Sequence, residues 1–318
     1  MRTLFGPGAI GECVRNVQQK LTTLGFDTKA VDGCYGQNTL AVVKQFQMSQ
    51  SLSSNGIVDE RTWQLLMQSP PPSVTSRCLQ LTASIEGHGY GLAVGDFDGA
   101  ILTWGIIGFT MAAGKVQEIV LRIHRRNPQC VEQAFQVHST ELLDLMTAPL
   151  EFQKRWAAQH TLRHGALAEP WKSMFEVFGS FPEVQQQQRE CVQQDYMKPA
   201  IQTARALGLR SESGQALCFD IHVQNGGIKR KALASIRAEL GRLSSESDLR
   251  IAIANVVVQS AKQAWREDVR NRKMAIATGL GVIHGHSYML NNWGLSGEIE
   301  SAELLEQVTS ETALGAHA

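Results

Sequence analysis

The sequence predicts a mainly α-helical protein built as a small helical domain followed by a larger one. Three observations lead there. Apolar residues recur at spacings of three and four in most segments, the period of an amphipathic helix, and no run alternates apolar and polar residues as a half-buried strand would. Three consecutive prolines, Pro70-Pro71-Pro72, block helix and strand alike and mark an extended, semi-rigid spacer. The 318 residues, 43% of them hydrophobic, suffice for two buried cores. The expected organisation is a domain at 1–68, a Pro-rich linker at 69–76 and a domain at 77–318.

In the first domain, Val14, Val17, Leu21 and Leu24 mark one helix, and Val42, Val43 and Phe46 another. Two similar stretches, Val31-Asp32-Gly33-Cys34-Tyr35-Gly36 and Ser54-Asn55-Gly56-Ile57-Val58-Asp59, each place an Asx-Gly turn ahead of a polar cap and a helix. Three short helices joined by two turns follow. In the second domain, 114–126, 184–207, 215–224, 230–243 and 248–272 carry helical periodicity. Pro128, Pro149, Pro170, Pro182 and Pro199 mark bends or helix starts, so 184–207 is expected as two helices or one kinked at Pro199. Gly208, Gly226 and Gly227 are the expected stops.

Charge and composition exclude several function classes. Thirty Lys and Arg balance thirty Asp and Glu, which leaves no overall positive field to hold nucleic acid or an anionic membrane surface. The first residues lack the apolar segment of a signal peptide, and the longest apolar stretches, 251–258 and 274–283, fall short of a membrane span. A soluble chain outside the ordinary secretion route is the expectation. The six cysteines form no CxxC pair; Cys13 and Cys34 fall within one short unit, where a disulfide and two free thiols are both open readings. His284-Gly285-His286 offers two imidazoles without a third ligand, and GxSxG, GxxxxGK[ST] and HExxH are missing from the sequence. No metal and no cofactor are expected.

Two acidic positions carry the chemistry. Residues 78–86 read as an apolar helix ending at Glu86, followed by Gly87. A carboxyl there meets the negative end of the helix dipole beside apolar neighbours, and both favour the protonated form; a Glu at a frayed helix end pointing to water is the alternative. Further on, Asp96 and Asp98 lie in a Gly-flanked turn that opens into Thr103-Trp104-Gly105-Ile106-Ile107-Gly108-Phe109. A small β-hairpin there would set a carboxylate across a cleft from Glu86, while an Asx turn and core packing explain the same residues without catalysis. One protonated and one ionised carboxylate on opposite walls is what cleavage of a glycosidic bond needs. Trp104, inside this hairpin, is the tryptophan best placed to stack on a sugar, although most large aromatics of a helical protein fill cores.

Leu24-Gly25-Phe26, the Asp32-Gly33-x-Tyr35-Gly36-x-x-Thr39 run, Phe46-Gln47 and Asn55-Gly56-Ile57-Val58 with Thr62-Trp63 and Leu66 resemble the peptidoglycan-binding domain family over residues 10–67. Ser51 and Asn55 depart from its pattern; Asn also suits such a turn. The resemblance implies attachment to the cell wall, with Asp32 and Tyr35 as candidate contacts.

Ser84-Ile85-Glu86, Asp98-Gly99 and Thr103-x-Gly105-Ile106-Ile107-Gly108-Phe109 resemble the catalytic region of the chitosanases of glycoside hydrolase family 46, in the lysozyme superfamily, over residues 78–124. A lysozyme-like helical domain is what this implies. The resemblance places the general acid on Glu86, the base on Asp98, with Asp96 as a competing carboxylate, and the water-holding threonine on Thr103. Ala100 stands where the family has an arginine, and the loop between acid and base is shorter. Phe219-Asp220-Ile221 with Gln224-Asn225-Gly226-Gly227 is similar to a cleft-lining helix of the superfamily, so Asp220 is a candidate substrate contact or a buried structural acid.

Together these readings describe a peptidoglycan hydrolase, a muramidase cutting the β-1,4 bond between N-acetylmuramic acid and N-acetylglucosamine. Zero net charge suits this better than polycationic chitosan. A chitosanase, a lytic transglycosylase and a non-catalytic wall-binding protein are the rivals. The architecture resembles a phage endolysin released through a holin, or an antibacterial effector of a type VI secretion apparatus with an immunity protein as partner.

Overall fold

The structure is a computed structural model that describes residues 2–87 and 89–305, with the backbone alone at Leu240. The chain divides into two compact units, one formed by Met1–Ile85 with Tyr196–Ala318 and the other by Glu86–Asp195. Both are mainly helical, as predicted.

The chain opens with β1 (Thr3–Phe5), α1 (Glu12–Thr23), α2 (Gln37–Ser49), β2 (Val58–Asp59) and α3 (Glu60–Met67). The three helices match the sequence expectation, whereas β1, which pairs antiparallel with β2 and buries Leu4 and Phe5, has no periodicity long enough to read. The sequence near-repeat proves to be a repeated polar network. Gln18 Nε2 donates to Asp32 Oδ1, the Cys34 carbonyl and Thr39 Oγ1, while its Oε1 accepts from the Gly33 N–H at 2.8 Å. Gln47 does the same with Asn55, Ile57, Thr62 and Gly56, its Oε1 again at 2.8 Å. Both glutamines are buried, and their Oε1 atoms answer the buried N–H groups of Gly33 and Gly56.

Around the prolines, the Trp63 indole donates to the Pro70 carbonyl at 3.1 Å and Arg77 Nε to the Pro72 carbonyl at 3.3 Å, which pins the spacer at both ends. More contacts tie the N-terminal residues to the C-terminal part of the same unit. The Gly6 N–H donates to the Asn292 carbonyl at 3.1 Å, Asn292 Nδ2 donates to the Pro7 carbonyl, and the Trp293 indole donates to the Ile10 carbonyl at 3.4 Å. Arg2 and Arg77 converge on the buried carboxylate of Glu212. The three-helix module is therefore seated on its own unit rather than held by the proline segment alone.

After α4 (Val74–Glu86), the second unit contains a three-stranded antiparallel sheet of β3 (Ala93–Val94), β4 (Thr103–Trp104) and β5 (Phe109–Thr110). It is followed by α5 (Lys115–Arg126), α6 (Pro128–Phe135), α7 (Ser139–Thr147), α8 (Leu150–His160), α9 (Trp171–Ser180) and α10 (Pro182–Val192). Pro128 and Pro182 occupy first helical positions, where a missing N–H costs nothing. Trp104, Phe109, Phe135, Trp156, Trp171, Phe175 and Phe178 are all buried in this unit.

The remaining elements are α11 (Lys198–Ala206), α12 (Glu212–Asn225), α13 (Arg230–Glu239), α14 (Glu246–Ser260), α15 (Arg266–Thr278), β6 (Leu280–Ile283), β7 (His286–Met289) and α16 (Ala302–Leu305). Two sequence expectations shift here. The segment 184–207 breaks at a π-helical turn, Gln193–Met197, with Pro199 in the first turn of α11 rather than at a kink. The segment 248–272 is two helices, because Ala261 and Lys262 are extended and α15 packs back on α14; the apolar period runs through the break because both halves face the same core. The β6–β7 hairpin has no counterpart in the sequence expectation. His284 and Gly285 form its two-residue turn, both at positive φ, but only Ile283 and Tyr288 of its strands are buried, so no alternation marks it. Among the described residues, no helix is long and apolar enough to cross a membrane.

Candidate active site

Glu86 closes α4, half-buried behind the buried Ile85, and is the first residue of the unit that also carries Asp96, Asp98 and Thr103. Helix formation up to this residue follows from the buried run Cys78 to Ala83, and Gly87, at φ 66°, lets the chain leave the helix.

The two turn acids have different surroundings. Asp96 Oδ1 accepts the N–H groups of Gly99 at 2.9 Å and Ile101 at 3.3 Å, so its carboxylate closes the turn. Asp98 stands at the exposed tip and makes no hydrogen bond or ion pair among the described residues. The turn itself is stapled to the segment after α8. The Gly95 N–H donates to the Gly165 carbonyl at 2.8 Å, the Asp96 N–H donates to Thr161 Oγ1 at 2.9 Å, and Val94 bridges Ala166. A Cβ on Gly95 would lie 2.5 Å from Thr161 Oγ1, so only glycine permits this approach. On the far side of the turn, Ile101 is buried at φ 68°, a conformation that costs a β-branched residue about 1–3 kcal/mol and needs the surrounding bonds to hold it.

The pleat sorts the sheet residues. Ala93, Trp104 and Phe109 pair across the three strands and are buried, whereas Val94, Thr103 and Thr110 pair across them on the other face and stay half-exposed. Thr103 is thus left accessible. Trp104 is not: it is 0% exposed, its indole donates to the Phe175 carbonyl at 3.3 Å, and its ring stacks on Phe178 at 5.4 Å. The expectation that Trp104 stacks on a sugar is corrected, because strand alternation turns it into the core.

One supporting residue carries no signal in the sequence. Gln188, within the polar run of α10, is fully buried; its Oε1 accepts the Ile106 N–H and its Nε2 donates to the Tyr90 carbonyl, both at 2.9 Å. It joins the β4–β5 turn to the loop that follows Glu86. A glutamine in a polar helical stretch carries no signal of burial; only the packing shows it.

Asp220 belongs to the other unit and is 0% exposed, with Arg272 Nη2 at 2.7 Å and Lys273 Nζ also on its carboxylate. Burial alone would raise its pKa, but the two cations hold it down at about 2. It is the buried structural acid of the two sequence readings, with no surface for substrate. In the N-terminal module, Tyr35 is likewise buried, its hydroxyl donating to the Gly56 carbonyl at 2.8 Å, so a direct wall contact by Tyr35 is corrected. Asp32 is exposed, but its Oδ1 is engaged by Gln18 and by the Cys34 N–H, which holds its pKa below the usual carboxylate range. Cys13 and Cys34 are free thiols, the buried Cys13 pushed up to about 12. His284 pairs with Asp268 at 2.6 Å, and no cluster of three metal-ligating side chains occurs among the described residues.

Comparison with known proteins bears on both parts of the chain. Residues 11–66 match the peptidoglycan binding domain family. Among solved structures, the chain is similar to a Gynuella sunshinyii GH46 chitosanase in complex with chitotetraose, at 19% identity over 65% of this chain and 85% of that one, with a TM-score of 0.44. It is also similar to a native chitosanase from Bacillus subtilis MY002, at 18% identity over 72% of this chain and 95% of that one, with a TM-score of 0.47. Residues 86–248, more than half of the chain, match the glycosyl hydrolase family 46 profile and include Glu86, Asp98 and Thr103. The chain is a glycoside hydrolase and belongs to glycosyl hydrolase family 46.

Proposed function

We propose that this glycoside hydrolase is a muramidase that cuts the β-1,4 bond between N-acetylmuramic acid and N-acetylglucosamine in peptidoglycan. The observation that carries this reading is the peptidoglycan-binding match at 11–66, on the same chain as the hydrolase. A wall-binding module raises the local concentration of a hydrolase at its polymer.

In this reading Glu86 donates its proton to the glycosidic oxygen as the C–O bond breaks, and Asp98 takes a proton from the attacking water, whose oxygen ends on the anomeric carbon. Thr103, half-exposed on the central strand, orients that water. Support for Asp98 over Asp96 comes from their bonding, since the base must be free to meet water and Asp96 is occupied by Gly99 and Ile101. Action on the wall would follow holin release or type VI delivery, with an immunity protein as partner in the second case.

The test is mass spectrometry of products from purified Gram-negative sacculi incubated with the wild type, Glu86→Gln and Asp98→Asn. Muropeptides ending in reducing N-acetylmuramic acid, absent with both variants, are the expected result. Anhydro ends formed without Asp98 would make it a lytic transglycosylase. Intact sacculi with cleaved chitosan would make it a chitosanase, and no cleavage of either polymer would leave wall binding alone.

A further inference from the structure

An exposed aromatic precedes Asp98, and the turn that backs it carries an exposed cation. Phe97 is 66% exposed, a large apolar side chain left in water beside the proposed base. Its loop is not loose, being stapled through Gly95, Asp96 and Val94 to the 161–166 segment and closed by the Asp96 carboxylate. The ring is backed from one side. A Cβ placed on Gly165, which sits at φ 80°, would lie 3.1 Å from Phe97 Cδ2, so that turn comes within van der Waals range of the ring and leaves the rest of it to solvent.

The same backing turn carries Arg163, exposed and without a hydrogen bond or ion pair among the described residues. The turn is itself closed, the Gly165 N–H donating to the Leu162 carbonyl at 3.1 Å and the Leu162 N–H to the Ala166 carbonyl at 2.7 Å. Arg163 therefore projects from a defined backbone two residues from the one that supports Phe97.

We propose that Phe97 and Arg163 form a specificity platform beside Asp98, in which the Phe97 ring stacks on a pyranose of a β-1,4-linked N-acetylhexosamine chain and Arg163 pairs with a carboxylate substituent on that chain. The chemistry fits such a ligand in two ways. The C–H face of a pyranose is apolar, and a ring already fixed on a stapled loop loses little freedom on covering it. A guanidinium matches a carboxylate with two parallel hydrogen bonds and repels a polycation. This inference rests on the reading of Asp98 as the base and supplies its discrimination between an acidic murein strand and chitosan.

The experiment measures kcat and KM of the full-length protein on soluble murein glycan strands, on the same strands with their carboxyls methyl-esterified, and on chitosan oligomers. Phe97→Ala should raise KM for the strands about tenfold with kcat changed less than about threefold, and Phe97→Trp should restore it. Arg163→Glu should raise KM for the free-acid strands and leave the esterified ones unchanged. A wild type that cleaves murein while both variants keep its KM overturns the platform and spares the muramidase reading. A Phe97→Ala variant that loses kcat and melting temperature together, without rescue by Trp, overturns it as a structural effect. A wild type that cleaves only chitosan removes the muramidase reading and the role of Arg163; KM of Phe97→Ala on chitosan then decides the stacking role separately. A wild type that cleaves none of the three overturns both.

Discussion

Asp96 and Asp98, two residues apart in one turn, hold opposite positions: the Asp96 carboxylate is spent on the N–H groups of Gly99 and Ile101, and that of Asp98 is exposed and bonds to none of the described residues. Their substitutions should separate accordingly. Asp98→Asn should lower kcat by about 10²- to 10⁴-fold, the scale of a lost general base, with an unchanged melting temperature. Asp96→Asn should cost about 1–2 kcal/mol of stability through weakened turn bonds and retain measurable turnover. Kinetics and thermal denaturation of the two variants check the assignment, and a stable Asp96→Asn that is as inactive as Asp98→Asn would reverse it.

Gln188 bonds two backbone groups on separate loops, the buried N–H of Ile106 and the part-buried carbonyl of Tyr90. Gln188→Leu should orphan the buried Ile106 N–H and cost about 1–3 kcal/mol, the scale of one unsatisfied buried group. Denaturant titration measures the loss, and activity at a temperature where the variant is fully folded should also fall, because the loop after Glu86 loses one of its ties to α10 and keeps the bond from Arg189 to the Tyr90 hydroxyl.

Gln18 and Gln47 make matching sets of bonds at the two turns of the N-terminal module. Each substitution to Leu should destabilise the module by about 1–3 kcal/mol, since the buried N–H of Gly33 or of Gly56 loses the glutamine oxygen that it donates to. Binding to sacculi by a hydrolase-inactive background, followed against temperature, should fall earlier in both variants and by similar amounts.

The ion cluster at Asp220 predicts a response to acid. Its carboxyl sits at about 2 in the fold and near the ordinary Asp value, about 3.9, when unfolded. A depressed value stabilises the fold fully above the unfolded pKa and ceases to do so as pH falls through the folded one. Stability should therefore drop by on the order of 2–3 kcal/mol between about pH 4 and pH 2 from this group. Asp220→Asn should cost about 3–5 kcal/mol at neutral pH by leaving Arg272 and Lys273 facing a neutral group, and flatten that part of the acid curve. The half-buried His222, whose pKa burial lowers, adds an earlier loss that begins as pH drops below about 6.5. Chemical denaturation at a series of pH values reads all of these.

Glu212 joins Arg2 and Arg77 inside the first unit. Glu212→Gln should cost about 3–5 kcal/mol, because two arginines lose a buried counter-charge. The melting temperature of a chain cut before residue 74 should also fall well below that of the full chain, since Asn292 and Trp293 lose their N-terminal partners. A cut chain that melts like the whole would show that the module is a dispensable appendage.

Much of this protein is written locally. The three helices of the module, the starts of α6 and α10 at prolines and the Glu86 helix end follow from apolar spacing, Asx-Gly turns and proline geometry, all properties of neighbouring residues. The same is true of the family motif, whose order in the chain identifies Glu86, Asp98 and Thr103 as the residues to test. Other features depend on partners far away in sequence. Alternation in a two-residue strand sends Trp104 inward and Thr103 outward only once β3 and β5 lie on either side. Gln188, Gln18 and Gln47 look like surface residues until the backbone groups they satisfy are brought to them, and Asp220 becomes structural only when Arg272 and Lys273 close on it. The split of α14 from α15 and the shallow β6–β7 hairpin likewise come from packing on a shared face. Short-range stereochemistry and hydrophobic period determine which elements form; desolvation, which acts on whatever the fold encloses, decides which polar side chains become structure and which stay free for chemistry.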